Sequence, residues 1–174
     1  MSAPPQSAVR LVAAEDPGDS HLTGVGGTPP RPVSPTDARR IEVESLLEIV
    51  LRWASARRDV RGLALVGSWA RGTAHMESDV DLVLLTLRVE RFMETDDWMG
   101  ELGGETIVRT GSWGPIVERC VRMPSGLQVE LDVALPYWAS VHPVDSGTRS
   151  VVADGMRVLH DPDGLLRALA RMVR

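Results

Sequence analysis

Apolar residues recur at three- and four-residue spacing after the segment Ser-Pro-Thr-Asp at residues 34–37. Charged residues fall largely on the opposite side, so the pattern predicts an amphipathic helix of about five to six turns. We expect Ser34 to cap this helix, Pro35 to occupy its first helical position and Asp37 to lie near its positive end. The apolar positions are Val43, Leu46, Leu47, Val50, Leu51 and Ala54.

Short apolar runs follow this helix and alternate with turn residues. We expect Arg61-Gly62 to break the helix and residues 63–66 to form a short buried strand. A second strand is predicted at 80–85 and a weaker helix at 89–101. Further strands are predicted near 106–109, 116–122 and 127–133, with a hairpin turn at 123–126.

The pattern after residue 134 predicts a short helical segment that opens at Pro136. Asp154-Gly155 is typical of a tight hairpin, so we expect strands at 151–152 and 157–159. A last amphipathic helix is predicted to begin near 161–164. Helices and strands therefore alternate irregularly along the chain, which is typical of an α+β protein.

The first 33 residues differ from the rest, since they contain six prolines and show no helical or strand period. We therefore predict a disordered Pro/Gly-rich tail at 1–33 and one domain at 34–174. Gly24-Val25-Gly26-Gly27 follows no predicted strand and opens no helix, so it does not indicate a phosphate-binding loop.

The formal net charge is −5, which argues against generic nucleic-acid binding through phosphate neutralisation. All 19 basic residues are arginine, and the Arg-, Ala-, Val- and Gly-rich usage resembles that of a bacterial protein. Cys120 is the single cysteine, so no intrachain disulfide is expected. We also see no signal peptide and no apolar run of about 18 residues, which predicts a cytoplasmic protein without a membrane segment.

One segment carries recognisable chemistry: Gly67-Ser68, a ten-residue spacer, then Asp79-Val80-Asp81 at the start of a predicted strand. Alternate side chains of a strand share a face, so Asp79 and Asp81 are expected to project the same way. Two adjacent carboxylates suit a hard cation such as Mg²⁺, which also binds phosphate oxygens. The Gly-Ser turn before a helical start would let backbone N–H groups approach a phosphate.

With this spacing, residues 65–82 resemble the signature of the DNA polymerase beta-like nucleotidyltransferase superfamily, especially its small bacterial members. Ala70-Arg71-Gly72 and Ser78 match common additions to that signature. The resemblance implies an α+β nucleotidyltransferase fold, with a mixed, mostly antiparallel sheet packed on one side by helices. It also implies a transferase that releases pyrophosphate.

The resemblance further implies a third carboxylate from a later strand. Residues 126–133 alternate apolar and polar, so Gln128, Glu130 and Asp132 are expected to share one face. We favour Glu130, since it lies centrally in the strand and small relatives that this segment resembles often read Val-Glu-apolar there. Asp132 remains the alternative, and both are expected near the metals.

Roles for these residues follow from the resemblance. Asp79 and Asp81 would hold two Mg²⁺ ions that bind the triphosphate of ATP, the commonest donor in the group. Glu130 would complete one metal site and act as general base. Arg71 is expected either to neutralise phosphate charge or to be a solvated loop residue. The nucleotide-binding candidates are Gly67, Ser68, Arg71 and Ser78.

The acceptor is open between three hypotheses. The first is transfer of AMP to a hydroxyl of a small molecule such as an antibiotic, and the second is adenylylation of a protein by an antitoxin-type enzyme. The third is a non-catalytic nucleotide-binding module. Many antibiotic-modifying relatives have an additional helical domain, so here the acceptor pocket is expected from residues 136–174, from a second subunit of a homodimer, or from a protein partner. Trp98, Trp113 and Trp138 are candidates for its walls.

Overall fold

A six-stranded sheet forms the centre of the computed structural model, which describes residues 32–174. Its spatial order is β3-β4-β5-β2-β1-β6. The β2–β5 pair is parallel and every other neighbouring pair is antiparallel, which confirms the predicted mixed, mostly antiparallel sheet. The strands are β1 Val60–Val66, β2 Val80–Thr86, β3 Thr106–Trp113, β4 Ile116–Arg122, β5 Gln128–Ala134 and β6 Met156–His160.

Six α-helices and one 3-10 helix surround the sheet within the described residues. The long first helix and the helical segment at Pro136 were both predicted, whereas the predicted helix at 89–101 is two short helices. The helices are α1 Asp37–Ser55, α2 Gly67–Arg71, α3 Arg91–Glu94, α4 Asp97–Glu101, α5 Ser146–Asp154 and α6 Leu165–Val173, with the 3-10 helix at Pro136–Ala139.

The helices cover both faces of the sheet. Leu63 and Leu65 of β1 belong to a core shared with α1, α3 and α4, whereas Ala64 and Val66 belong to a second core shared with α5, α6 and the 3-10 helix. Most of β1 and β2 consists of successive apolar residues. Such strands can be buried on both faces of the sheet, because neither face then carries a row of polar side chains. The α+β class is confirmed, and the helical cover is wider than the single side that was expected.

Three expectations about the first helix were wrong, since Ser34 does not cap it, Pro35 precedes it and Arg61-Gly62 does not end it. Its N-cap is Thr36, not Ser34, because Thr36 has extended backbone and its Oγ1 accepts a hydrogen bond from the Arg39 N–H at 3.2 Å. The helix ends at Ser55, and Arg61-Gly62 lies inside β1. A Cβ on Gly62 would approach Leu166 Cδ1 to 2.9 Å, so the glycine permits close packing of α6.

The hairpin predicted around Asp154-Gly155 was also wrong. Residues 151–152 lie in α5, whose N-cap Asp145 accepts a hydrogen bond from the Thr148 N–H at 3.0 Å. Gly155 ends that helix, and β6 then pairs with β1 rather than with a neighbour in sequence. Every helix within residues 32–174 is too short or too polar to span a lipid bilayer. Residues 1–31, including most of the predicted tail and its glycine segment, lie outside the described residues.

Candidate active site

The Gly-Ser motif joins β1 directly to α2. Val66 pairs with Asp81 of β2, and the next residue, Gly67, has φ +67° and opens α2. A Cβ built on Gly67 would overlap the Oδ2 atom of Asp81. The glycine is therefore required twice, for its left-handed backbone and for the close approach of the Asp81 carboxylate to the start of α2.

Strand register brings further acidic side chains beside Asp81. Asp81 pairs with Glu130 across the parallel β2–β5 pair, and Glu118 of β4 pairs with Asp132 across the β4–β5 pair. Side-chain oxygens of Glu118, Glu130 and Asp132 all lie within 4.8 Å of one another. We call the following set the carboxylate cluster: Asp79, Asp81, Glu118, Glu130 and Asp132.

Burial and mutual repulsion disfavour full ionisation of the carboxylate cluster. Desolvation, together with the charges of Glu130 and Asp79, raises the pKa of Asp81 to about 6. Desolvation, together with the charges of Glu130 and Glu118, raises the pKa of Asp132 to about 7. Burial also raises the pKa of Glu130. An oxygen-rich set that carries excess negative charge fits a divalent cation such as Mg²⁺.

A half-exposed arginine partly neutralises the negative charge of the carboxylate cluster. Arg109 of β3 forms ion pairs with the Glu118 carboxylate and, at 2.6 Å, with Glu130 Oε2. Glu118 also accepts a hydrogen bond from Trp113 Nε1 at 2.7 Å. Although burial acts to raise it, these bonds from Trp113 and Arg109 lower the pKa of Glu118. Arg109 therefore holds two of the acidic side chains in place without a metal.

Sequence reasoning missed both Glu118 and Arg109. The available signal was an acidic residue inside the apolar run 116–121, next to a predicted hairpin turn at 123–126. Folding that hairpin places alternate residues of its two strands on one face, which would have put Glu118 beside the predicted acidic face of β5. The position of Arg109 beside Glu118 depends on the register of β3, a further strand. No local sequence pattern indicates that register.

The predicted nucleotide-binding residues fall into two groups. Gly67 and Ser68 form the first turn of α2, beside Asp81. Arg71 forms an ion pair with Asp154 of α5, and its positive charge also acts to lower the pKa of Asp81. Ser78 is buried, and its Oγ accepts a hydrogen bond from the His75 N–H at 3.0 Å. Ser78 therefore stabilises the loop before Asp79, and its contact with nucleotide stays a prediction.

The family of this domain follows from a comparison with known families. Residues 43–115 match the family model described as nucleotidyltransferase domain. Over these residues the chain is similar to nucleotidyltransferase domains. The matched segment begins within α1, ends after β3 and includes the Gly-Ser turn with Asp79 and Asp81. The family resemblance recognised from residues 65–82 is thereby confirmed.

The solved structures to which this chain is similar are distant from it in sequence. An aminoglycoside 6-adenyltransferase from Bacillus subtilis is 17% identical, with 56% of this chain and 36% of that chain covered and a TM-score of 0.42. Cid1 poly(U) polymerase with Mg 3′-dATP bound is 18% identical, with 70% and 36% covered and a TM-score of 0.47. The polymerase core of TRAMP, an RNA surveillance complex, is 16% identical, with 70% and 36% covered and a TM-score of 0.46.

The chain spans 36% of the length of each of these three solved structures. No curated protein matches its sequence. The family model therefore covers only part of the chain, and the donor and acceptor have to be inferred from the chain's own residues.

The metal-free nucleotidyltransferase domain is expected to lose stability as pH rises from about 5 to about 8. The folded pKa values of Asp81 and Asp132 lie above the ordinary value of 3.8, so the folded state binds more protons than the unfolded state in this window. Stability therefore falls with rising pH. We expect the melting temperature in EDTA to fall by roughly 5 °C, and Mg²⁺ to restore it at the higher pH. A melting temperature that does not change with pH in EDTA would contradict the proposed charge repulsion.

Proposed function

We propose that this nucleotidyltransferase transfers AMP from ATP to a hydroxyl group of a small molecule and releases pyrophosphate. The observation that carries the proposal is the close approach of the Asp81 carboxylate to the Gly67-Ser68 turn, with Glu130 paired beside Asp81. A phosphate-binding turn and converging carboxylates are the two parts that metal-dependent phosphoryl transfer requires.

Asp79, Asp81 and Glu130 would hold Mg²⁺, with two ions expected from the family resemblance. When bound, Mg²⁺ would neutralise the triphosphate and stabilise the charge that develops during transfer. Gly67 and Ser68 would bind the β- and γ-phosphates through backbone N–H groups and the Ser68 hydroxyl. Arg71, whose charge already acts on Asp81, would add positive charge on the same side.

Glu130 is our choice for the third metal-binding carboxylate. It pairs with Asp81 in the β2–β5 register, whereas Asp132 pairs with Val83, two residues farther along the strand. Asp132 would then remain outside the metal site as a partly buried carboxyl with a raised pKa. A group of that kind can accept the proton of an acceptor hydroxyl near neutral pH, so Asp132 is the alternative general base to Glu130.

Incubation with ATP labelled at the α-phosphate tests the proposal. With Mg²⁺ and a bacterial extract divided into metabolites and proteins, we expect label in a small molecule, together with pyrophosphate release. Because Glu130 lies beside Asp81, Glu130→Gln is expected to reduce transfer more than Asp132→Asn, by about tenfold or more.

Each other outcome has a defined meaning. Label that is confined to protein would favour the antitoxin-type adenylylating enzyme. Label only with another NTP would correct the donor. Absence of label with any NTP, together with no thermal shift from NTP and Mg²⁺, would refute catalysis and leave a nucleotide-fold module without this chemistry.

A further inference from the structure

A cavity of about 480 Å³ lies on the same face of the sheet as the carboxylate cluster. The β3–β4 hairpin, the 3-10 helix and the first turn of α5 form its walls. Trp113, Tyr137 and Trp138 contribute three aromatic side chains, and Trp113 and Trp138 are two of the three candidates for the walls of an acceptor pocket. The third candidate, Trp98, is buried in the core on the opposite face with Phe92, so it is excluded from this cavity.

One hydrogen bond connects the wall of the cavity to the carboxylate cluster. Trp113, which lines the cavity, donates through Nε1 to Glu118 Oε2 at 2.7 Å, and Glu118 belongs to the cluster. Helix α5 makes a second connection. Its first turn lines the cavity at Thr148, and its last residue, Asp154, pairs with Arg71 of α2. The phosphate-binding turn and the cavity therefore lie toward opposite ends of α5.

This arrangement suits the geometry of phosphoryl transfer. The entering oxygen and the leaving oxygen lie roughly in line on opposite sides of the transferred phosphorus. A pyrophosphate leaving group held at Gly67-Ser68 would direct the entering hydroxyl toward the other side of the carboxylate cluster. Along the sheet, that direction leads from β2 through β5 and β4 to Trp113 at the end of β3.

The side chains that line the cavity indicate what it can bind. Trp113 is 67% exposed and Tyr137 is 57% exposed, so two large aromatic rings remain open to a ligand. Asp145 is the charged residue among those that line the cavity, and the adjacent cluster is acidic as well. Negative charge on both sides disfavours an anion such as a polynucleotide. A cavity of this volume fits a drug-sized molecule.

We infer that this cavity binds the acceptor, a neutral or cationic small molecule with a planar apolar part that packs against Trp113 and Tyr137. The inference rests on the proposed function. The acceptor oxygen forms a bond to the α-phosphorus, and the bond from that phosphorus to the pyrophosphate oxygen breaks. Pyrophosphate leaves with the bonding electrons, and the hydroxyl proton passes to a carboxylate of the cluster.

Three hydroxylated aryl probes of equal ring size test the cavity: tyrosol, which is neutral, tyramine, which is cationic, and 4-hydroxyphenylacetate, which is anionic. Binding is followed through the NMR signal of the Trp113 indole N–H, identified with Trp113→Ala. We expect tyrosol and tyramine to bind with Kd near about 1 mM, and the anion to bind about tenfold more weakly.

Tyr137→Ala is the main variant, because within residues 32–174 the Tyr137 side chain makes no hydrogen bond that its loss would break. It is expected to weaken tyrosol binding about tenfold. Ile41→Ala on α1 is the matched control, since Ile41 is 68% exposed and lies outside the cavity. Trp113→Phe is expected to retain binding better than Trp113→Ala, because the phenyl ring preserves the apolar contact.

Nucleotide binding is measured separately, as the thermal shift from α,β-methylene-ATP with Mg²⁺. We expect Tyr137→Ala to leave this shift unchanged and tyrosol to bind in the presence of the nucleotide. Competition between the two ligands, loss of the nucleotide shift in Tyr137→Ala, or failure of tyrosol to perturb the Trp113 signal would overturn the acceptor assignment. Absence of a nucleotide shift in the unaltered protein would instead refute the proposed function itself.

Discussion

Asp81→Ala is expected to lower AMP transfer by about a thousandfold or more, because the carboxylate that contacts the start of α2 would be lost from the metal site. The same change should leave the melting temperature of the metal-free protein unchanged or raised. Burial and the charges of Glu130 and Asp79 disfavour an ionised Asp81, so its removal relieves a cost of folding. Turnover with labelled ATP and thermal melting in EDTA measure the two effects.

Asp97→Ala serves as the control for this substitution. Asp97 is an exposed aspartate in the first turn of α4, which packs on the opposite face of the sheet. It should retain full transfer. Undiminished transfer by Asp81→Ala would remove Asp81 from the catalytic residues, and a large fall in its metal-free melting temperature would show that the carboxylate stabilises the fold.

Gly67→Ala is expected to abolish ATP binding and to destabilise the domain by several degrees. A Cβ at residue 67 would overlap Asp81 Oδ2, and alanine would also have to adopt φ +67°. The left-handed backbone alone costs about 1–2 kcal/mol, which corresponds to roughly 2–8 °C in a protein of this size. Displacement of the Asp81 side chain adds to that cost and moves the carboxylate away from the phosphate-binding turn.

Two further variants separate these contributions. Gly72 has φ +73°, and within residues 32–174 no atom beyond its own chain neighbours lies within 4 Å of the point that its Cβ would occupy, so Gly72→Ala reports the cost of the backbone alone. In the Asp81→Ala background the overlap disappears, so Gly67→Ala should cost no more than Gly72→Ala there. Equal destabilisation by Gly67→Ala with and without the Asp81 carboxylate would show that the close approach does not matter.

Sequence patterns predicted the helices and strands that are specified by residues within the element itself. The helical period of residues 43–54 predicted α1, and the apolar run after Asp79-Val80-Asp81 predicted β2. The segment at 151–159 was misread because Asp154-Gly155 can end a helix as well as turn a hairpin. Its true partner, β1, lies about ninety residues earlier, and no local pattern reports such a distant pairing.

The same distinction between local patterns and distant pairings applies to the candidate site. The Gly-Ser turn, Asp79 and Asp81 all lie within residues 67–81, so their spacing was informative. Glu118 and Arg109 join the site only through the registers of β3, β4 and β5, which depend on the assembled sheet. The choice between Glu130 and Asp132 stayed open at the sequence level for the same reason, since alternation puts both on one face.

The parallel pairing of β2 with β5 also bears on how the chain avoids misfolding. A slip of β5 by one residue would turn Glu130 and Asp132 into the apolar layer beneath α1, and would expose Val129 and Leu131 in their place. Unpaired carboxylates in such a layer are strongly unfavourable. The acidic residues therefore disfavour this shifted alignment of β5.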